Sequence, residues 1–316
     1  MLPYNPKTAG ESSQQTHSTR EYKLFLNLKF TQLLGAKLSK IDKVQTEGQY
    51  NDMANQILKE NFEKLVENEA GVRIGLNLEA LHNMRVATRR LRAAIKIFQR
   101  ILPSKAQKIR TELQKLGRML GKKRDFDIFS EFIFPVVNTK SISFLKLARR
   151  RNQLQKQILT MLESKYYASL IKMLVQLKTV TTKKNILKVS RNRIRKELYK
   201  VLEIGLTIDS QVDDTTLHKL RIAIKKLRYI CEFFEPIFGK YICPLDTFIE
   251  KTKEIQDLLG DHQDVNTGIS MLMHYRSKFS EDEFLQITKK YGLKKIRTRK
   301  LFLTAWKQYL ETLAKG

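Results

Sequence analysis

One stretch of the chain occurs twice. LHNMRVATRRLRAAIKIF at residues 81–98 returns as LHKLRIAIKKLRYICEFF at 217–234, an offset of 136 residues. His82 aligns with His218, Arg85 with Arg221, Ala87 with Ala223, Arg89 and Arg90 with Lys225 and Lys226, and Arg92 with Arg228. A second landmark keeps the order: LGKKRDFD at 120–127 stands against LGDHQDVN at 259–266, pairing Gly121 with Gly260 and Asp125 with Asp264. Two landmarks in one order mark a duplicated unit, so any fold must be buildable twice. The offset divides the folded part into 51–182 and 183–316, joined near TVTTKKN.

The unit is helical. Six prolines and thirteen glycines punctuate all 316 residues, and apolar residues recur at the helical period. Helices are predicted near 51–71, 78–102, 104–121, 125–135, 141–178, 186–206, 215–238, 241–260, 264–276 and 282–314, an all-α chain of two antiparallel helical bundles. Gly71, Gly75, Pro103 and Gly239 read as stops. Asn77, Asp213, Asp214 and Thr215 read as starts, because a short side-chain oxygen can accept from the free amides of a first turn. Residues 1–20, rich in Ser, Thr, Gln and Gly, read as a disordered tail, and 21–50, with its EYKLFLNLKF, as a leader of undecided structure.

The repeated helix carries a charged edge. At about 100° per residue, His82, Arg85, Arg89, Arg92 and Lys96 fall within an arc of about 80°. Leu81, Met84, Thr88, Leu91, Ile95, Phe98 and Leu102 fill the adjacent arc and are expected in the core. In the second copy His218, Arg221, Lys225 and Arg228 hold the same phases beside Leu217, Leu220, Ile224, Leu227, Cys231, Phe234 and Phe238. No acid lies between His82 and Lys96, or from His218 to Cys231, whereas a plain solvated face intersperses Glu with Lys. Two further rows are predicted, Lys108, Lys115, Arg118 and Lys122 with Arg124 at the end, and Lys184, Lys188, Arg191 and Arg195.

Like charges at such spacing repel by a few tenths of a kcal/mol each, roughly, and a bound anion reverses the sign. Composition points the same way: 60 Lys and Arg against 32 Asp and Glu give a formal charge of +28. A compact state with that excess calls for a polyanion nearby. No run of apolar residues is long enough to span a bilayer and no secretory signal opens the sequence, so a cytoplasmic protein without membrane contact is expected. Cys231 and Cys243 lack metal spacing and read as plain thiols, one of them in the core. His82 and His218 have no His or Cys three or four residues away; the reading preferred over metal ligation is donation to an anion near a helix N-terminus. Asp125 and Asp264 are expected to cap a following helix or to orient a basic neighbour.

These residues resemble the CHAD family, the conserved histidine α-helical domain. HNMRVATRRLRAAIKIF is similar to its first signature, LHKLRIAIKKLRYICEFF to its second, and LGKKRDFD and IQDLLGDHQD to its later motifs, over residues 51–312. The resemblance implies two bundles related by a pseudo-twofold axis with a basic cavity between them that binds inorganic polyphosphate, in proteins found at polyphosphate granules or beside polyphosphate enzymes. By position His82, Arg85, Arg89, Arg92, His218, Arg221, Lys225 and Arg228 would line it, with Arg118, Arg124, Lys253 and Lys307 as weaker contributors. Lys96, Lys122, Arg191 and Arg195 extend the set from the helical rows. The Glu-x-Glu-x-Lys element of the CYTH triphosphatase domain that accompanies many relatives is not found: Glu67 and Glu69 are followed by Gly71, and Glu281 and Glu283 by Leu285. A stand-alone binding domain is expected.

Polyphosphate has no bases, so basic rows without interleaved aromatics suit it. A non-sequence-specific nucleic-acid (RNA) binding protein is the alternative, although no helix-turn-helix, zinc-finger, RRM or KH signature is present. An enzyme would need more than a histidine nucleophile: neither a GxxxxGK[ST] loop nor a carboxylate cluster for Mg²⁺ is found, and no catalytic residue, metal or cofactor is expected.

Overall fold

The computed structural model describes residues 47–75, 77–180, 186–238 and 243–315. The expectations for 1–20, for most of 21–50, for Gly239 and for Lys184 lie outside the described residues. The described chain holds helices α1 (Glu47–Glu67), α2 (Glu69–Ile74), α3 (Leu78–Ile97), α4 (Ala106–Ile133), α5 (Ile142–Leu162), α6 (Lys165–Val175), α7 (Ile186–Gly205), α8 (Asp214–Phe238), α9 (Cys243–His274) and α10 (Glu281–Lys315), with a short 3₁₀ turn at Arg276–Lys278. No strand occurs among the described residues.

Helix starts follow the side-chain chemistry. Asn77 Oδ1 accepts from the amides of Glu79 and Ala80 and opens α3. Asp213 accepts from the amide and hydroxyl of Thr216 at the head of α8, and those bonds hold its carboxyl below the usual range. Gly75 closes α2 at φ 78°, a left-handed conformation that a side chain resists.

Several expected boundaries are corrected. The segment expected as one helix over 51–71 is broken after Glu67, and the 141–178 segment after Leu162, where Ser164 caps a new helix through the Tyr167 amide. Conversely, 104–121 and 125–135 form the single α4, and 241–260 and 264–276 the single α9. Asp125 and Asp264 therefore sit inside helices and cap nothing. The physical reason is that Gly121 and Gly260 are ordinary helical residues here, so no left-handed turn frees a new first turn.

The contacts divide the chain into two compact units. The first takes residues 46–184 with 260–299, the second 185–259 with 300–316. This division differs from the halves 51–182 and 183–316 that the repeat marks, because α9 and α10 run unbroken through 259–260 and 299–300.

In the first unit α3 packs between α1 and α4. Leu81, Met84, Thr88, Leu91, Ile95 and Phe98 are all buried, the stripe the sequence assigns to the core. A second core joins Phe126, Phe129 and Ile133 of α4, Leu147 and Leu154 of α5, Val265 and Leu272 of α9, and Ile287 and Tyr291 of α10. Each such side chain contributes about 1.5–3 kcal/mol by leaving water. Tyr291 stacks on Phe132 with centroids 4.0 Å apart. Beside this core lies a buried ion cluster: Lys123 Nζ meets both oxygens of Asp127 at 2.6 and 2.5 Å, and Arg151 Nε meets Asp127 at 2.9 Å.

In the second unit α8 packs on α7. Leu217, Leu220, Ile224, Leu227, Cys231 and Phe234 are buried. Burial pushes the Cys231 thiol up to about 12, which keeps it protonated and inert. Trp306 donates to the carbonyl of Gly205 at 3.0 Å, and a Cβ at Gly205 would fall 2.2 Å from the indole, so only glycine fits.

Candidate polyanion interface

The site in the first unit starts from two glycines. Gly117 and Gly121, one turn apart on α4, face α3: a Cβ at Gly117 would meet Thr88 at 3.4 Å, and one at Gly121 would meet Arg85 Nε at 3.5 Å. Small residues here let the helices approach closely, which brings the basic edge of α3 onto α4. At about 100° per residue Arg110, Gly117, Gly121 and Arg124 share an arc of about 60°.

The cations gather in two groups along α3. At one end His82 feels Arg124, Arg89 and Arg85, with Glu79 opposing; burial first, then Arg124, lowers its pKa below the ordinary imidazole value. At the other end Arg92 feels Arg110 and Arg118, and burial followed by these two neighbours lowers its pKa as well. Arg85 approaches Asp125 at 3.9 Å, and Gly121 lies beneath its Nε. The Nε atoms of Arg92 and Arg124 are buried without a hydrogen-bond partner among the described residues. Donors held in place with their lone opposing acids at the edge suit an anion with several oxygens.

The profile of the CHAD domain matches residues 56–272, more than half of the chain. The chain belongs to the CHAD domain family. Its fold is similar to a solved CHAD domain from the plant Ricinus communis, with 20% identity, TM-score 0.59, and 81% of this chain and 91% of that chain covered. It is also similar to PptA from Streptomyces chartreusis, with 13% identity, TM-score 0.57, and 81% and 99% covered. At these identities the likeness is one of fold. No curated protein matches.

Of the residues the sequence singled out in the first half of this CHAD chain, the structure brings together His82, Arg85, Arg89, Arg92, Arg118 and Arg124. Lys96 and Lys122 are exposed. The row Lys108, Lys115 and Lys122 lies about 100° or more from the glycine face, and Arg118 stands at the near edge of the same row, within an arc of about 80°. Lys115 pairs with Glu112 at 3.0 Å and lies over the Tyr166 ring.

Arg110 was missed. The signal that could have found it is phase: it lies seven residues before Gly117 and fourteen before Arg124, on the face with the small residues. Asp125 takes the second of its expected roles, orienting a basic neighbour, in this case Arg85.

In the second CHAD unit, His218 is exposed and Arg221 and Lys225 are half-buried along α8. Arg228 is engaged, donating from Nε to Gln256 at 2.9 Å and from Nη1 to Glu232. Lys226 pairs with Glu197 of α7, and its repeat mate Arg90 donates to Asn61 of α1, each reaching back 29 residues. The same tether thus recurs with an acid in one copy and an amide in the other. Arg195, Lys253 and Lys307 are exposed on their helices, and the side chain of Arg191 lies outside the described residues.

No group of three or more His, Cys, Asp or Glu residues that could hold a metal occurs among the described residues. No described helix is long and apolar enough to cross a membrane.

Proposed function

We propose that this protein binds inorganic polyphosphate through the arginine face of α3 and α4, with the basic edge of α8 as a second contact. The observation that carries the reading is the convergence of His82, Arg85, Arg89 and Arg124 at one end of α3 and Arg92, Arg110 and Arg118 at the other. From residue 82 to residue 92 the helix rises about 15 Å, so the donors are laid out along a line rather than around a point. A linear anion with oxygens at every unit can satisfy such a line. The CHAD family is associated with polyphosphate-related proteins, which supports this choice of anion. Recruitment to polyphosphate granules or to polyphosphate-metabolising enzymes in the cytoplasm is the role this binding would serve. The activity is binding, without a chemical step.

The test is a titration of the full chain with long-chain polyphosphate across a salt series, with single-stranded RNA of equal charge as competitor. Tight binding that weakens steeply with salt and resists RNA is expected. RNA binding of equal or greater strength overturns polyphosphate as the ligand and leaves the alternative, a general nucleic-acid face.

His82 supplies a second expected result. In the free protein burial and then Arg124 hold its pKa below the ordinary imidazole value, which favours the neutral ring. A phosphate placed among its cationic neighbours favours the imidazolium and raises that value. Binding then takes up a proton, and affinity strengthens as pH falls from about 8 toward about 5. His82→Asn should flatten this slope. A slope unchanged in the variant would remove His82 from the contact.

A further inference from the structure

α10 presents a face that its own unit leaves uncovered. Leu285, Leu293 and Ile296 are 56%, 63% and 68% exposed. With Lys289 and Gly292 they fall within an arc of about 100°. Ile287, Tyr291 and Thr298, on the opposite side, are buried and hold the helix down. The three aliphatics therefore form a stripe on a fixed helix.

Gly292 stands in the middle of that stripe, and a Cβ there would meet nothing within 4 Å. Inside a helix glycine costs about 1 kcal/mol relative to alanine. At Gly205 a buried indole explains the glycine, but no neighbour explains Gly292. What Gly292 does provide is a notch one side chain deep, between Leu285 on one side and Leu293 and Ile296 on the other.

Charge surrounds the stripe. From Leu285 through Lys300 the sequence holds seven Lys and Arg and no Asp or Glu. Lys289, Arg297 and Lys300 are exposed beside the stripe, whereas Lys290 and Lys294 lean over the Phe132 ring on the other side of the helix. This stretch of α10 meets α4 at Phe132, eight residues or about 12 Å beyond Arg124 along the helix, so the face is separate from the arginine site.

We propose that the Leu285–Arg297 face of α10 docks an acidic amphipathic helix from a partner protein. Apolar anchors at helical spacing within a charged rim are how a helix is read by another helix. The rim is basic from Lys289 to Lys300 and acidic at Asp282, one turn before Leu285, so it selects Glu and Asp beside the partner's apolar stripe along the Leu293 and Ile296 end. A phosphate chain or nucleic acid would gain nothing from three exposed aliphatics, and a second copy would bring lysines against lysines. A lipid surface would have no use for the notch at Gly292, whereas a helix can seat a side chain in it.

The test uses the full chain and a labelled synthetic helical peptide with a leucine stripe bordered by glutamates. Two control peptides have the glutamates replaced by lysine or the leucines by serine. The acidic leucine peptide is expected to bind at least about tenfold more tightly than either control, because both the rim and the anchors are needed. Leu293→Ser with Ile296→Ser, both at exposed positions, should remove that advantage, and Gly292→Leu should do the same by filling the notch. Polyphosphate binding should be unchanged in both variants, so failure here and failure of the polyphosphate reading are distinguishable. Equal binding of the serine peptide overturns the proposal, as does no binding at all. A dimer seen by light scattering, or binding to phosphatidylserine vesicles, that only the Leu293→Ser/Ile296→Ser variant loses would assign the face to a second copy or a membrane, and would equally overturn it.

Discussion

Replacing Arg85 and Arg89 together by glutamate is expected to weaken polyphosphate binding by about 10²–10⁴-fold. Each charge-assisted hydrogen bond contributes about 1.5–3 kcal/mol, so losing two removes about 3–6 kcal/mol before the repulsion of the new carboxylates is counted. The repulsion adds to this, since the carboxylate introduced at position 85 would face Asp125 where the Arg85 guanidinium now does. The fold should survive, because both side chains are half-exposed and the buried stripe of α3 runs beside them. Circular dichroism reads the helicity and a polyphosphate titration reads the affinity. Adding Arg221→Glu and Lys225→Glu in the second unit is expected to abolish binding. If the four-site variant binds as the wild type does, the anion sits elsewhere.

Asp127→Ala is expected to cost about 3–5 kcal/mol of stability, because it leaves a buried ammonium without its carboxylate. Asp127 is 0% exposed and Lys123 2%. Burial, together with Arg151 and Arg124, lowers the Lys123 pKa, and the Asp127 carboxylate opposes that shift. For a unit of this size the loss corresponds to a fall of roughly 6–20 °C in melting temperature. Lys123→Met with Asp127→Leu should recover most of it, since Arg151 is 35% exposed and can turn to water. A fall of less than about 1 kcal/mol in Asp127→Ala would mean that water reaches the pair.

The helical class and the core face of each repeated helix were legible from the chain alone. The reason is that Leu81, Met84, Leu91 and their counterparts repeat at the helical period, and that period is a local property. The starts at Asn77 and Asp213 were legible for the same reason, since a cap bonds within its own first turn. The arginine edge of α3 was also readable, as a run without acids.

Tertiary structure decided what that edge faces. Arg110 and Arg124 join it while Lys108, Lys115 and Lys122 do not, because Gly117 and Gly121 choose which side of α4 approaches α3. The Lys123–Asp127–Arg151 cluster was invisible because α4 was read as two helices and Arg151 lies on another element, 24 residues from Asp127. The compact units likewise have boundaries that a local reading does not supply, since they fall within α9 and α10, at 259–260 and 299–300. Periodicity fixes which face of a helix is apolar, but which neighbour that face meets depends on contacts between residues far apart in sequence, and no local pattern encodes them.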